Sequence, residues 1–380
     1  MHPPKKLSRR RFLRRAGALT GAPVLAGLPA AAFEDVSGSN QFLRLGWIGV
    51  GDRGSNLLRH ALDSVSVSTL KVTAICDLDQ AARDRAVARC GAMKPAGFAD
   101  YRQLLEAKDV DAVFIATPVH LHAEHAVAAL AAGKHVYCEK PLGRTPEEVK
   151  AVHGAVKKAG KKFQVGFQWR YHTGFLALVE AVQGGQIGKP SLVIAARHAE
   201  SYPTENWYRK KELSGDIIVE QAVHEMNIFC WLLKSPPLRA AGLGGTNVLK
   251  GVPPDRTIMD HYAVTFEFPG EVKVSYSHCV YAPKGLGGLY QMVFGTEGRG
   301  ARLDDTTRLS VTKAGAPAPV ELPPLRDATQ LAIQSFASAI REDREPLANV
   351  EAGRNATLMA ILGRTAIAEG RVVPWSEMEV

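Results

Sequence analysis

The residues best able to move protons are Lys140, in the tripeptide Glu139-Lys140-Pro141, and Glu220 and His224, in the segment Ser214-Gly215-Asp216-Ile217-Ile218-Val219-Glu220-Gln221-Ala222-Val223-His224-Glu225-Met226-Asn227. On a helix, Glu220, His224 and Asn227 stand at i, i+4 and i+7, so a single face presents a carboxylate, an imidazole and an amide. A histidine titrating near neutrality is the usual proton acceptor when an alcohol is oxidised, and a neighbouring carboxylate can orient its ring. A lone helical histidine is more often structural. Here the three polar groups lie among Ile217, Ile218, Val219, Phe229 and Trp231, an arrangement that favours chemistry.

Oxidising an alcohol also requires a place for two electrons. Leu45-Gly46-Trp47-Ile48-Gly49-Val50-Gly51-Asp52-Arg53-Gly54 reads as a buried strand entering a G-x-G-x-x-G turn, with a helix opening behind it. In such a turn Gly49 permits the tight bend, Gly51 lets a pyrophosphate approach the backbone, and Gly54 lets helix and strand pack closely. The N-terminus of the helix that opens at Ser55-Asn56-Leu57-Leu58 offers N–H groups and partial positive charge to the anion. The next strand ends at Asp77, where a carboxylate would accept from the adenosine ribose and repel a 2′-phosphate, so the cofactor expected is NAD in preference to NADP. The alternative role for Asp77 is a turn or N-cap before the following helix.

Positioning these groups takes a repeating strand–helix pattern. Continuous apolar runs at 70–76, 112–116 and 135–138 alternate with helical segments, and Thr145-Pro146-Glu147-Glu148 carries a capping box with proline at the first helical position. One more strand at 162–167 completes a doubly wound parallel sheet over about 42–167. Ligands of such sheets bind beyond the carboxyl ends of the strands. Three of those ends carry Thr117-Pro118 with His122 following, Glu139-Lys140, and Gln168-Trp169-Arg170. Beyond 168 the rhythm changes. Extended patterns at 192–197, 240–248, 261–268, 271–280, 290–294 and 308–313, with a turn at Pro269-Gly270 and two closing helices, indicate an α+β domain on a largely antiparallel sheet. Trp207-Tyr208-Arg209-Lys210-Lys211 reads as a sugar-contacting or solvated loop, because flat aromatic faces stack on sugar rings.

The 380 residues carry a formal charge of +9, but Lys5, Lys6, Arg9, Arg10, Arg11, Arg14 and Arg15 crowd the first fifteen positions, and without them the charge falls to +2. That near-neutrality gives no electrostatic case for nucleic acid. The basic start, Arg9-Arg10-Arg11-Phe12-Leu13, and the mildly apolar stretch to Ala30-Ala31-Ala32 read as a twin-arginine export signal. Glycines and prolines break that stretch, so stable membrane insertion is not expected. The five scattered cysteines, without a C-x-x-C, form no disulfide framework, and His120, His122 and His125 lack the accompanying ligands of a metal site.

Taken together, Gly49-x-Gly51-x-x-Gly54, Asp77, Ala116-Thr117-Pro118 with His122, Gly133-Lys134-His135-Val136 leading into Glu139-Lys140-Pro141, and the later His224 segment resemble the Gfo/Idh/MocA oxidoreductases over roughly 42–375. The resemblance implies a catalytic group of Lys140, Glu220 and His224, with a glutamate where the family has aspartate and Asn227 where it usually has a second aspartate. It implies a cofactor site of Gly49, Gly51, Arg53, Gly54, Asp77, Thr117, Pro118, His122, Glu139, Lys140 and Gln168. Substrate would meet Lys140, Arg170, Trp207, Asn227 and His224. It also implies a homo-oligomer, a dimer or tetramer formed through the open face of the second sheet. The expected organisation is a signal and linker over 1–40, an NAD-binding Rossmann domain over 41–167 and an α+β substrate and oligomerisation domain over 168–380. The expected activity is hydride transfer between NAD and a secondary alcohol of a sugar, polyol or glycoside. One alternative is redox-neutral glycoside cleavage through transient oxidation, and another is non-catalytic sugar binding. Export of a folded protein to the periplasm, or another extracytoplasmic space, would require the cofactor to travel inside it and be recycled there.

Overall fold

A computed structural model describes residues 42–63, 69–201, 206–313 and 315–379, so the export segment lies outside the described residues. The first sheet is parallel throughout, in the order β3-β2-β1-β4-β5-β6, with β1 at Leu43–Ile48, β2 at Leu70–Cys76, β3 at Ala96–Phe98, β4 at Ala112–Ile115, β5 at His135–Cys138 and β6 at Phe163–Val165. Strand order reverses between β1 and β4, which opens the crevice where such sheets take ligands. Register aligns Trp47 with Phe114 and Phe114 with Tyr137. Their rings stack across three strands at centroid distances of 4.4 and 4.8 Å. The crossover helices start as the sequence dictates. Asp79 caps Gln80–Arg89 by accepting from Ala81 and Ala82 N–H, and Thr145 caps Pro146–Ala159 by accepting from Glu148 N–H.

The second sheet has nine strands in the order β14-β13-β12-β11-β7-β10-β9-β8-β15, spanning β7 (Pro190–His198), β8 (Arg239–Gly245), β9 (His261–Phe268), β10 (Val272–Cys279), β11 (Gly288–Gly295), β12 (Gly300–Asp304), β13 (Arg308–Thr312), β14 (Ala318–Pro319) and β15 (Val373–Pro374). The expected Pro269-Gly270 turn joins the antiparallel pair β9 and β10. Among the described strand pairs of this sheet, β7 with β10 is parallel and the others are antiparallel. In β9 and β10 every second residue is buried, and on that face β9 meets helix Val350–Glu369 while Tyr276 of β10 meets Phe229 of helix Val223–Leu233 edge-on. Helix Ala328–Arg341 returns to the first sheet. There Phe336 packs edge-on against Phe114 and Tyr137, and Gln164 Nε2 donates to the Ala332 carbonyl.

Candidate functional site

The glycine turn behaves as its spacing requires. Gly49 has φ 90°, and a Cβ there would fall 2.8 Å from the Ala116 backbone. A Cβ on Gly54 would fall 2.1 Å from the Gly49 carbonyl oxygen, so helix Asp52–Asp63 and the turn that leaves strand β1 touch backbone to backbone at that point. Gly51 has nothing within 4 Å of its would-be Cβ, yet it lines the cleft, which leaves room for a ligand against bare backbone. Asp77 accepts from Val50 N–H at 2.8 Å and from Asp79 N–H at 2.9 Å, so its carboxylate is fixed at the turn by one bond to each oxygen. Asp79 performs the helix capping considered for Asp77, while Asp77 keeps the turn role by accepting from Asp79 N–H and lines the cleft as well.

The cleft measures about 1520 Å³ and runs from Asp77 and Leu78 past Gly49, Gly51 and Arg53 to Lys140, Glu220 and His224. Thr117, Pro118, His122, Glu139, Gln168 and Trp207 line it too, so of the cofactor residues expected from sequence only Gly54 lies behind the wall, where its role is packing. His122 ties two strand-end loops together. Its Nδ1 is 2.7 Å from the Pro141 carbonyl and its Nε2 is 2.8 Å from the Thr117 carbonyl, so both ring nitrogens are engaged by backbone.

Lys140 Nζ donates to Glu220 Oε1 and to the Glu220 carbonyl, each at 2.6 Å. Its ion-pair partner is therefore Glu220, while Glu139 pairs with Arg53 Nε at 2.7 Å. His224 is 7% exposed, stacks on Trp169 at 4.9 Å and meets the edge of Phe167. Burial and the cations Lys140, Arg197 and Arg53 hold its pKa well below the usual histidine value, so the ring is neutral at physiological pH. Its Nδ1 is buried without a hydrogen-bond partner among the described residues, which makes Nε2 the nitrogen open to the cleft.

Two expectations need correction. The segment carrying Glu220, His224 and Asn227 is not one helix, because Ile217–Glu220 and Val223–Leu233 are separate, with Gln221 and Ala222 between them. The Glu220 carbonyl, which a continuing helix would offer to His224 N–H, is taken by Lys140 Nζ, and the Glu220 carboxylate holds the lysine rather than the expected imidazole. Arg170 and Asn227, expected at the substrate, do not line the cleft. Arg170 Nε donates to Asn227 Oδ1 at 2.6 Å, its Nη1 donates to the Leu347 carbonyl, and its guanidinium covers the Trp231 ring, so the pair is buried in the domain interior, where Asn227 Nδ2 has no hydrogen-bond partner among the described residues.

Sequence reasoning passed over Arg197 and Gln221, both of which line the cleft. Tyr208, read with Trp207 as part of an aromatic loop, lines it too and stacks on Trp207 at 3.9 Å. Arg197 lies near the end of a strand in a mostly antiparallel sheet, where no strand-end rule points to ligands. Gln221 was hidden by the expectation of an unbroken helix.

The donor set and the cradle fit a dinucleotide: bare backbone at Gly51, a helix N-terminus beside it and a fixed carboxylate at Asp77. Comparison with known proteins agrees. The NAD-binding Rossmann domain of the GFO/IDH/MocA oxidoreductases matches residues 43–167, and the C-terminal domain of the same family matches residues 175–300. The chain is similar to the inositol 2-dehydrogenase of Salmonella paratyphi B, with 36% identity over 192 residues, 50% of this chain and 54% of that enzyme. The match thus spans about half the length of that curated relative. The fold is shared with levoglucosan dehydrogenase, solved with NADH and levoglucosan (TM-score 0.77, 23% identity, 88% of this chain and 99% of that one). It is shared also with an aldose-aldose oxidoreductase from Caulobacter crescentus (TM-score 0.76, 20% identity, 88% and 100%).

Proposed function

Because this chain belongs to the Gfo/Idh/MocA oxidoreductase family, we propose that it oxidises a secondary alcohol of a sugar, polyol or glycoside with NAD. The observation that carries this reading is the meeting of a neutral His224 with the Lys140–Glu220 pair in the same cleft as the glycine turn and Asp77. Gly49, Gly51 and Asp77 would hold NAD, which would supply the acceptor for the hydride of the carbinol carbon. The alcohol proton goes to His224 Nε2, so a hydride and a proton leave together and a ketone remains. Lys140 gives two of its three N–H bonds to Glu220, which fixes the ammonium and leaves the third to hold the substrate oxygen as its charge changes. Trp169 braces the imidazole from one side. Trp207 and Tyr208, stacked on one another in the cleft wall, offer an aromatic face to a sugar ring.

Formation of NADH on adding inositols, aldoses or glycosides, and its loss in His224→Ala, tests the assignment. Activity retained in that variant would remove His224 from the reaction. The export segment supports a second element of the reading: the protein works outside the cytoplasm, carries its NAD with it and returns each hydride within the same site. Protein purified from the exported fraction should then retain cofactor through dialysis, and empty protein would refute that element.

A further inference from the structure

Three cations act on the His224 ring, and each has a carboxylate of its own shut away from water. Lys140 pairs with Glu220 at 2.6 Å, Arg53 with Glu139 at 2.7 Å and Arg197 with Glu225 at 3.6 Å. The glutamates are 5%, 4% and 0% exposed. The first two pairs are hydrogen-bonded, but the third lies just beyond hydrogen-bond distance. Arg197 Nη1 is buried without a hydrogen-bond partner among the described residues, and its guanidinium sits over Trp169, the ring that also stacks on His224. Charge and packing therefore hold Arg197 in the cleft wall with Nη1 turned to Glu225, and no hydrogen bond to the described residues engages its Nε or Nη2, which are left for a group in the cleft. Gln168 and Gln221 line the same cleft, and the Oε1 of each is buried without a partner among the described residues. Those amide oxygens call for donors, which a hydroxyl group has and a carboxylate lacks.

We propose that the cleft selects an uncharged polyhydroxylated substrate over a sugar acid. Arg197 donates to one of its hydroxyls, and buried Glu225 enforces the choice by cancelling the charge with which Arg197 would otherwise capture a carboxylate. The proposal rests on the dehydrogenase reading and narrows its substrate class. An arginine fork left unbalanced beside a water-poor cleft is a strong carboxylate receptor. With Glu225 behind it, an incoming carboxylate finds no net charge to join and must approach a buried anion, so discrimination comes from a repulsive element as well as from hydroxyl contacts.

The test is titration calorimetry on the NADH-loaded protein with matched pairs, glucose against glucuronate and galactose against galacturonate, and with myo-inositol. In the unmodified protein a neutral member should bind at least tenfold more tightly than its acid, and Glu225→Gln should move that ratio at least tenfold towards the acid. The double variant Arg197→Met with Glu225→Met removes both charges at similar volume. It should keep the neutral preference while losing about tenfold in affinity for the neutral member, and it carries the test if Glu225→Gln does not fold. An acid bound as well as its neutral partner, a ratio unmoved in folded Glu225→Gln, or unchanged neutral affinity in the double variant would overturn the proposal. So would failure of every neutral member to bind. Calorimetry reads occupancy whether or not NAD is reduced. The expected shifts together with a silent dehydrogenase assay would therefore sink the redox reading and leave the charge selection standing.

Discussion

Alanine placed at Gly51 and at Gly54, three residues apart, should produce opposite phenotypes. At Gly54 the new Cβ falls 2.1 Å from the Gly49 carbonyl oxygen and 2.8 Å from its carbonyl carbon. Relief requires about 1 Å of movement between helix Asp52–Asp63 and the turn at Gly49, and both atoms to be moved are backbone. Overpacking of that kind costs about 1–3 kcal/mol, at the upper end here because no side chain can swing aside. Replacing glycine by alanine inside a helix returns about 1 kcal/mol, so the net loss should be about 2 kcal/mol. At Gly51 the new Cβ meets nothing within 4 Å, and the backbone is not left-handed. Stability should then change by no more than about 0.5 kcal/mol, while the methyl group occupies the space reserved for the pyrophosphate and costs NADH at least about tenfold in affinity. Urea unfolding of cofactor-stripped protein and fluorescence titration with NADH read the two effects separately. Parental NADH affinity in Gly51→Ala would refute the phosphate-cradle assignment, and undiminished stability in Gly54→Ala would refute the close-packing account.

Asp77→Ala should weaken NAD binding and narrow its advantage over NADP. An unmodified protein that binds NADP as well as NAD would show that the carboxylate does not read the ribose. Lys140→Met and His224→Ala should each lower kcat by about 10² or more with the fold intact by circular dichroism, and near-normal turnover in either would strike that residue from the mechanism. Because His224 stays neutral to well below the usual histidine pKa, the acid limb of kcat/KM should fall below pH 6.5, and a limb at or above that value would contradict the cationic surroundings described for it. Stability should also decline as pH falls below about 6.5. Burial depresses the pKa of His125 to about 4, so the unfolded chain takes up a proton there that the folded chain refuses, costing on the order of 2 kcal/mol at pH 5, and His122, His224 and His278 act in the same direction. A urea midpoint as high at pH 5 as at pH 7.5 would refute this.

What was legible in the sequence was local or periodic. The glycine spacing is itself the signature of the turn, and apolar runs alternating with helical stretches compel a parallel sheet whose strand ends place Thr117, Glu139, Lys140 and Gln168 on one rim. What was not legible depends on contacts distant in the chain. Val219-Glu220-Gln221-Ala222-Val223 contains nothing that forbids a helix, yet the helix stops there. Asp216 holds its start by accepting from Met259 N–H as well as Ile217 N–H, and Lys140, eighty residues away, takes the carbonyl that helix continuation needs. The same interruption changes the partner of Glu220 from His224 to Lys140, so the three residues expected together do line one cleft, with a different pairing among them.

Arg170 and Asn227 failed for a related reason. Polar residues beside a catalytic segment look like ligands when only their types are known, but Arg170 is spent on Asn227 and on the Leu347 carbonyl inside the fold. Arg197 presents the converse case. Its sequence context is an unremarkable strand, and only the fully buried Glu225 behind it and the unpartnered nitrogen on it, among the described residues, mark it for the cleft. Residue type identifies which groups can do chemistry. Whether they are available for it depends on which hydrogen bonds the fold has already claimed, and a long-range pairing such as Lys140 with Glu220 or Arg197 with Glu225 leaves no periodic trace along the chain.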